Sequence, residues 1–435
     1  MNDSAGMNRY MAYVRRLEEI EKNMDAGLIG ETTAEDVRGA LDGEAAEKLR
    51  KLVPLSERRQ TGAFFTDSRM AKRALQGLGK TLDRRSVILD PACGAGDLLL
   101  SCMESSLETH EGRFKPEDWS ERIHGIDIHQ EFVAATKIRL RLWAKNECLC
   151  HNLNFNHLNE FGIIRQGDAL NEVEEIAEAT HIVVNPPFGR VISDRTCFSG
   201  RGLISSAAVF LSHIIDCAEP GTKILSILPD VLRSGSHYAN WRAHVSSKAD
   251  IGPTTLLGQF DATTDVDVFA QEFVVKKATQ KRSNTVWAGP VGSSVSTVGD
   301  MFDVTIGSVV DYRDPLDGVC RPYVVGKQLP KWSIVNKVTH LRLSRCLAVN
   351  SPFVVVRRTS RLGDQYRAVA TIIDIDRPAV VDNHLIVLVP RDGRLSHCRR
   401  LVKTLKDRRT TSWLNERIRC RHLTKASLSE LPTEW

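Results

Sequence analysis

Four consecutive residues, Asn185 to Phe188, have types and spacing that suit a planar ring bearing an exocyclic amine. They follow the β-branched run 181–184, which predicts a buried strand that stops abruptly. Pro186 and Pro187 lack backbone N–H groups and have a fixed φ, so their carbonyls stay free. Asn185 adds an amide oxygen that accepts from an amine, and Phe188 adds a flat face for stacking. We expect the amine to donate to the Asn185 oxygen and the Pro186 carbonyl.

A strand followed by a tight turn explains these four residues equally well on their own, so the upstream sequence has to decide. Residues 87–89 predict a short buried strand with Asp90 at its carboxyl end, where open α/β sheets bind ligands. Gly94 and Gly96 let the backbone approach a ligand closely. Position 99, where the dinucleotide pattern needs a small residue, is Leu. A carboxylate ahead of these glycines favours a cation, and S-adenosylmethionine carries an ammonium and a sulfonium.

Polar side chains stand at four consecutive predicted strand ends. Asp127 follows the strand predicted over residues 123–126, and an acid there can accept both hydroxyls of a ribose. Asp168 follows the strand predicted near 161–165 and is placed to bond an adenine amine. An acid at one strand end is often only a helix cap, but the series Asp90, Asp127, Asp168 and Asn185 at four consecutive strand ends is much less ambiguous and indicates ligand binding at this edge of the sheet.

The chain predicts three regions. Apolar residues at three- and four-residue steps predict helices over about 8–55, and residues 58–67 predict a loop that presents Phe64 and Phe65. Strands then alternate with helices to about residue 278, which predicts an α/β fold with a largely parallel sheet and helices on both faces. Short β-like runs follow, and residues 397–428 predict a basic helical end. We place the boundaries at 1–57, 58–282 and 283–435.

The net charge of +5 hides an asymmetry. Residues 286–435 carry 24 Lys and Arg against 14 Asp and Glu, whereas the remainder carries 35 against 40. A basic third beside an acidic remainder indicates a polyanion-binding module, although a solvated basic surface has the same composition. Arginines lie on the predicted connections of this third: Arg357, Arg358, Arg361, Arg367 and Arg377.

Composition and the N-terminal residues indicate the cellular compartment of the protein. No apolar run approaches the roughly 18 residues of a membrane span, and the polar N-terminus is unlike a signal peptide. The ten cysteines show no disulfide framework, and no second pair of ligands stands at the spacing of a zinc site. We therefore expect a cytoplasmic protein with reduced thiols, no metal site and no membrane partner.

The order of these motifs resembles that of the gamma-class N6-adenine DNA methyltransferases, which include type II enzymes and the modification subunits of type I systems. The resemblance rests on Thr61 to Thr66, Asp90 to Gly96, Asp127, Asp168 and Asn185 to Phe188. It implies a Rossmann-like S-adenosylmethionine-dependent methyltransferase sheet with a helical N-terminal segment. The C-terminal third is similar to a β-rich target recognition domain. Phe188 departs from the more frequent Tyr, and Asp67 from a common Pro.

The resemblance also implies roles for individual residues. Asn185, Pro186, Pro187 and Phe188 would hold a flipped target adenine and carry catalysis. S-adenosylmethionine would be bound by Phe64, Phe65, Thr66, Asp90, Pro91, Ala92, Gly94, Gly96, Asp97, Asp127, Ile128, Asp168, Ala169 and Asn185. The implied substrate is double-stranded DNA in a restriction-modification or related defence system. A separate restriction endonuclease or specificity subunit is a potential partner.

Three alternatives stay open from the residues. The same motif on this fold serves methyltransferases that act on RNA adenine or on protein glutamine. The basic β-rich third argues against glutamine, because reading duplex DNA needs a large separate surface. A non-catalytic DNA-binding component is the remaining alternative, against which the complete set of polar strand ends speaks.

Overall fold

The computed structural model describes residues 5–28, 30–83, 85–109, 119–150, 162–192, 198, 203–261, 263–264, 266–277, 287 and 296–434. These residues form two compact units, one within 1–232 and 240–285 and the other within 233–239 and 286–435. The predicted boundary between residues 282 and 283 lies outside the described residues.

The first unit is built on a seven-stranded sheet with the order β3-β2-β1-β4-β7-β9-β8. The first five strands in this order are parallel, and β9 runs antiparallel to both of its neighbours. The strand bounds are β1 Ile88–Asp90, β2 Ile123–Asp127, β3 Ile163–Gln166, β4 His181–Val184, β7 Lys223–Pro229, β8 Ala249–Gln259 and β9 Asp267–Val275. A small hairpin, β5 Arg190–Ile192 and β6 Leu203–Ser205, follows β4.

Helices connect these strands and cover the sheet. Their bounds are α4 Leu55–Thr61, α5 Ser68–Ala74, α6 Asp97–Thr109, α7 Gln130–Cys150, α8 Val173–Glu178, α9 Ser206–Cys217, α10 Val231–Ser234 and α11 Ala239–Lys248. The predicted α/β class is confirmed. The predicted loop over residues 58–67 is wrong at its start, since α4 extends to Thr61. Strand β8 and the β5–β6 hairpin had no place in the sequence prediction.

The N-terminal helices pack directly on the helix that follows the second strand. They are α1 Ala5–Asp25, α2 Glu31–Leu41 and α3 Glu44–Leu52. Tyr10 and Leu17 of α1 are fully buried in one hydrophobic cluster with Phe132 and Leu142 of α7. This burial of apolar surface is the main force that holds α1 on the sheet domain. The helices predicted over residues 8–55 therefore share a core with the sheet unit.

Charged groups add a second connection between α1 and α7. Glu21 accepts from Arg141 at 2.7 Å through both carboxylate oxygens and from Lys145 at 2.9 Å. Lys145 also donates to Asp25 at 2.6 Å. Burial opposes ionisation of Glu21, but the hydrogen bonds from Arg141 and Lys145 outweigh it and lower the pKa of Glu21.

The second unit contains a five-stranded sheet with the order β10-β17-β14-β15-β12 and a three-stranded sheet with the order β13-β11-β16. Its strands are β10 Phe302–Ile306, β11 Val319–Val324, β12 Ile334–Val335, β13 Leu341–Ser344, β14 Phe353–Arg357, β15 Ala370–Ile373, β16 Val380–Val381 and β17 Leu385–Pro390. Its helices are α12 Val298–Met301, α13 Leu395–Lys406, α14 Arg408–Arg417 and α15 Lys425–Ser429. The predicted β-rich character of this region is confirmed.

The basic helical end of the second unit is not continuous. Asp407 ends the first of its helices and caps the next by accepting from the Arg409 backbone N–H at 2.8 Å. After α14 the chain runs extended, and the Leu423 N–H donates to the Arg358 carbonyl at 2.8 Å. The prediction of one helical segment over 397–428 is therefore wrong in detail.

Candidate active site

The parallel strands bring the four polar strand ends into one row. Because β1 lies between β2 and β4, the row runs Asp168, Asp127, Asp90 and Asn185 across the sheet. The connections from β1 and β4 leave on opposite sides of the point where the strand order reverses. Open α/β sheets form a crevice for ligands at such a point.

Two adjoining pockets occupy this crevice. Nearly every residue expected to bind a ligand lines one of them: Phe64, Phe65, Thr66, Asp90, Pro91, Ala92, Gly94, Asp97, Asp127, Ile128, Asp168, Ala169, Asn185 and Pro187. Gly96, Pro186 and Phe188 line neither pocket. The lining residues that the sequence did not single out include His129, Phe132 and Phe210.

The glycine loop after β1 is shaped by close contacts. Gly94 has φ +52°, and a Cβ there would lie 2.8 Å from Cδ1 of Phe65. Gly96 has φ +86°, and a Cβ there would lie 2.9 Å from Cγ2 of Thr136. Both the left-handed backbone and the lack of space therefore require glycine. Thr136 also donates to the Gly94 carbonyl at 2.7 Å. Gly96 therefore shapes the loop indirectly, because it leaves room for the Thr136 side chain that holds Gly94.

Asp127 is held by the loop that it faces. One of its carboxylate oxygens accepts from the Gly94 N–H at 2.9 Å and the other from the His129 N–H at 2.9 Å. Each oxygen keeps a second acceptor position, which suits two adjacent hydroxyl donors. Burial raises the pKa of Asp127, although these N–H groups favour its charged form.

Asp90 lies deeper, at the bottom of the crevice. It is 2% exposed and accepts from the Ala92 N–H at 3.1 Å. Burial raises the pKa of Asp90 well above its ordinary value, and the nearby carboxylates of Asp127 and Asp97 raise it further. A cationic group bound beside Asp90 would lower the pKa of Asp90 again. The attraction between the two charges would be strong, because this buried site excludes water.

Asp97, which the resemblance implies as a cofactor-binding residue, also has a charged partner within the protein. Its carboxylate accepts from Arg139 at 2.8 Å, and both side chains are buried. The same guanidinium donates to the carbonyls of Ala40 at 2.7 Å, of Leu41 at 3.4 Å and of Ala95. Arg139 thus joins the end of α2, the glycine loop and the start of α6. Asp97 neutralises the charge that makes this junction.

Asn185 is fixed at one end and open at the other. Its amide nitrogen donates to the Phe64 carbonyl at 2.9 Å. Because a carbonyl can only accept, the amide oxygen has to point away from Phe64. That oxygen is buried, and no hydrogen-bond partner for it exists among the described residues. A buried acceptor without a donor indicates that a donor group arrives with a ligand.

Three aromatic rings form a wall beside Asn185. Phe188 lies nearly parallel to Phe64 at a centroid distance of 6.0 Å and meets Phe260 edge-on at 5.0 Å. Phe260 stands just before the β8–β9 turn and is far from Phe188 in sequence, so no local pattern revealed it. A Cβ on Gly62 would lie 2.6 Å from Cβ of Pro187, which shows how closely the Phe64 loop packs on residues 185–188.

The two remaining predicted features have clear local roles. Asp168 accepts from the Leu170 N–H at 3.0 Å and so starts the short turn that carries Ala169. Asp67, where the resemblance would place Pro, caps α5 by accepting from the Met70 N–H at 2.8 Å.

His129 follows Asp127 by two residues and keeps a buried Nε2 atom without a partner among the described residues.

Comparison with known proteins identifies one matching family model, described as N-6 DNA Methylase, over residues 43–286. The chain is 24% identical over 248 residues to the type I restriction enzyme StySPI methylase subunit of Salmonella potsdam, covering 55% of this chain and 46% of that protein. It is 25% identical over 226 residues to the type II restriction enzyme and methyltransferase RM.BcgI of Heyndrickxia coagulans, covering 51% and 30%. The chain thus spans less than half the length of these relatives.

A solved structure shares the fold over most of the chain. It is the type IIL restriction-modification enzyme MmeI in complex with DNA, with a TM-score of 0.55 at 13% identity, covering 89% of this chain and 70% of that one. In the part of this chain that the structure describes, no helix has the length and apolarity needed to cross a bilayer.

We predict that Asp97→Asn lowers the free energy of unfolding by about 3 kcal/mol, because it leaves the buried Arg139 charge without a counter-charge. Urea unfolding followed by circular dichroism measures the change. Asp36→Asn is the matched control, since it removes an exposed ion pair with Arg16 and should change stability by less than about 1 kcal/mol. Equal stability of the two variants would contradict the role given to Asp97.

Proposed function

Because the chain belongs to the N-6 DNA methylase family, we propose that it transfers a methyl group from S-adenosylmethionine to N6 of adenine in double-stranded DNA. The reaction class is that of a site-specific, adenine-specific DNA methyltransferase. The observation that carries the proposal is the buried, unpartnered Asn185 oxygen beside the aromatic wall of Phe64, Phe188 and Phe260. An exocyclic amine on a flat ring satisfies both features.

The residues along the crevice fit S-adenosylmethionine, which when bound supplies an electrophilic methyl group on a sulfonium. The Asp127 carboxylate suits the two ribose hydroxyls, because both of its oxygens are oriented by N–H groups yet keep accepting positions. Asp168 is available to the adenine amine, with the half-exposed Ile128 beside it for the ring face. The Asp90 carboxylate suits the ammonium of the methionine part.

The residues at the end of β4 would act on the target base by positioning it. The N6 lone pair of adenine is delocalised into the ring, so the amine is a poor nucleophile. Hydrogen bonds from N6 to the Asn185 oxygen and the Pro186 carbonyl favour a pyramidal nitrogen whose lone pair points along the crevice. Such orientation replaces strong base catalysis. The cationic nitrogen formed by methyl transfer then loses one proton to water.

The target base would have to leave the duplex to reach Asn185. A stacked base inside the helix cannot present its amine to a buried amide, so base flipping follows from the burial of the Asn185 oxygen. The Phe188 ring would replace part of the lost stacking. The absent Tyr hydroxyl at this position is not needed for that contact, because the ring face does the stacking.

The second unit is proposed as the target recognition domain, with duplex DNA as its partner. Its excess of positive charge suits a polyanion. The relatives are a type I methylase subunit and a type II restriction enzyme and methyltransferase, so we propose a restriction-modification or related defence role. A separate specificity subunit or endonuclease is a proposed partner of this chain.

The direct test incubates the purified chain with methyl-labelled S-adenosylmethionine and unmethylated bacterial DNA, followed by nucleoside analysis. N6-methyladenine supports the proposal, and sequencing the modified DNA then gives the recognition site. Label on cytosine would overturn the pocket assignment. Label on RNA or on protein glutamine instead would favour an alternative acceptor, and an absence of cofactor binding would favour a non-catalytic component.

We expect Asn185→Ala to lower the methylation rate at least about a hundredfold while the dissociation constant for the cofactor changes by less than about threefold. The reason is that the proposal places the lost oxygen on the target amine, whereas the cofactor keeps the carboxylates of Asp90, Asp127 and Asp168. Single-turnover methylation and calorimetric cofactor binding measure the two effects. Asn146→Ala on α7 is the matched control and should retain full activity. Full activity of Asn185→Ala would contradict the mechanism.

We also expect cofactor affinity to increase as the pH is raised from acid to neutral values. The raised pKa of Asp90 means that this carboxyl holds its proton into a higher pH range, and only the ionised form attracts an ammonium. Calorimetry with S-adenosylhomocysteine, which keeps the ammonium and lacks the sulfonium, measures the trend. Asp90→Asn should bind more weakly and with a smaller pH dependence. An unchanged profile would contradict the role of Asp90.

A further inference from the structure

Three segments of the second unit converge on one basic surface. The Arg358 N–H, just after β14, donates to the His384 carbonyl at 3.0 Å. The Ser360 N–H donates to the Arg421 carbonyl at 2.9 Å, and Thr359 forms a bridge with His422. We call Arg358, His384, Arg421 and His422 the basic cluster. Backbone hydrogen bonds between the segments fix its members relative to one another.

The basic cluster concentrates positive charge. Burial lowers the pKa of His422, and repulsion from Arg358, His384 and Arg421 lowers it further. Asp382 is an acid in contact with the cluster; it is buried and accepts from the His384 backbone N–H at 3.1 Å and from the His384 ring at 2.9 Å. The buried Asp382 carboxylate therefore orients the His384 ring, and the His384 side chain itself is 74% exposed.

Two donors in or beside the basic cluster lack acceptors among the described residues. The Arg358 Nε atom and the Ser360 hydroxyl are both buried and have no hydrogen-bond partner among the described residues. Buried donors of this kind normally have partners. A ligand with several acceptor oxygens and a negative charge would relieve both the repulsion and the unmet hydrogen bonding. A phosphodiester has this chemistry, and the planar guanidinium of Arg matches it.

We propose that the basic cluster binds one backbone phosphodiester of duplex DNA and so fixes the register of the second unit on its substrate. This inference rests on the proposed function and names the residues by which that function engages the DNA backbone. Phosphate contacts position a protein without reading bases. The cluster therefore contributes affinity that is independent of sequence, and base readout belongs to other residues.

The test measures how binding of the full chain to a fluorescent duplex varies with salt. Each lost phosphate contact reduces the slope of log K against log salt by about one unit. We expect Arg421→Gln, which changes an exposed side chain, and Arg358→Gln each to make the slope shallower by about that amount. Arg313→Gln, which removes one charge from an exposed pair with Asp314 in the same unit, should leave the slope unchanged.

A second readout follows His422 itself by NMR. A bound phosphate would offset the repulsion from Arg358, His384 and Arg421, so the pKa of His422 should rise when duplex DNA is added. A purely structural role for these residues would leave that pKa unchanged. Such a rise together with shallower slopes supports the proposal.

The outcomes separate this inference from the proposed function. If the wild-type chain binds duplex DNA while Arg421→Gln and Arg358→Gln keep its slope, or if Arg313→Gln changes the slope equally, the basic cluster is not the phosphate site. If the wild-type chain binds no duplex DNA, the proposed function and the cluster assignment both fail. Binding to duplex RNA alone would overturn the choice of DNA.

Discussion

The candidate active site depends on one buried guanidinium. Arg139 is fully buried on α7 and uses four of its five N–H donors, three on carbonyls and one on Asp97. A buried charge is tolerated only when it is neutralised and hydrogen-bonded. The chain segments that satisfy Arg139 are therefore held in place by it, and one of them is the glycine loop that faces Asp127.

This arrangement gives the N-terminal helices a role in the site. The carbonyls of Ala40 and Leu41 at the end of α2 are partners of Arg139, so α2 shares an anchor with the glycine loop. Tyr10 of α1 packs on Phe65, whose ring lies against Gly94. Changes in the packing of α1 and α2 would therefore reach the crevice through a rigid, well-packed path.

The target pocket shows a similar dependence on distant segments. Asn185 is oriented by the Phe64 carbonyl, and Phe188 is held between Phe64 and Phe260. Arg58 stands over the Phe64 ring at 5.6 Å and lies 3.8 Å from Asp261 in the β8–β9 turn. The end of β4 supplies the chemistry, but the loop before β1 and the turn after β8 fix its geometry.

Two arginines of the second unit, Arg367 and Arg358, look alike in the sequence but have different roles in the structure. Arg367 is fully buried, and its guanidinium donates to Asn415 at 3.1 Å and to the carbonyls of Ile418 and Cys420. It supports the extended segment after α14. Arg358 belongs to the basic cluster on the surface that this segment borders. Both arginines lie on connections predicted from the sequence. Only their degree of burial in the structure shows that Arg367 has a supporting role and that Arg358 belongs to the surface.

The sequence alone determined the features that depend on neighbouring residues, namely the strands and the residues at their ends. Short apolar runs predicted strands such as β1 and β4, and acids and glycines after the strands marked the crevice, because strand ends and helix starts depend on neighbouring residues. The tertiary structure decided the partners. It assigned Asp97 to Arg139, added Phe260 to the aromatic wall and joined Arg358 to His422, since each pairing brings together residues far apart in the chain. Such contacts follow from burial and packing, which no local pattern records.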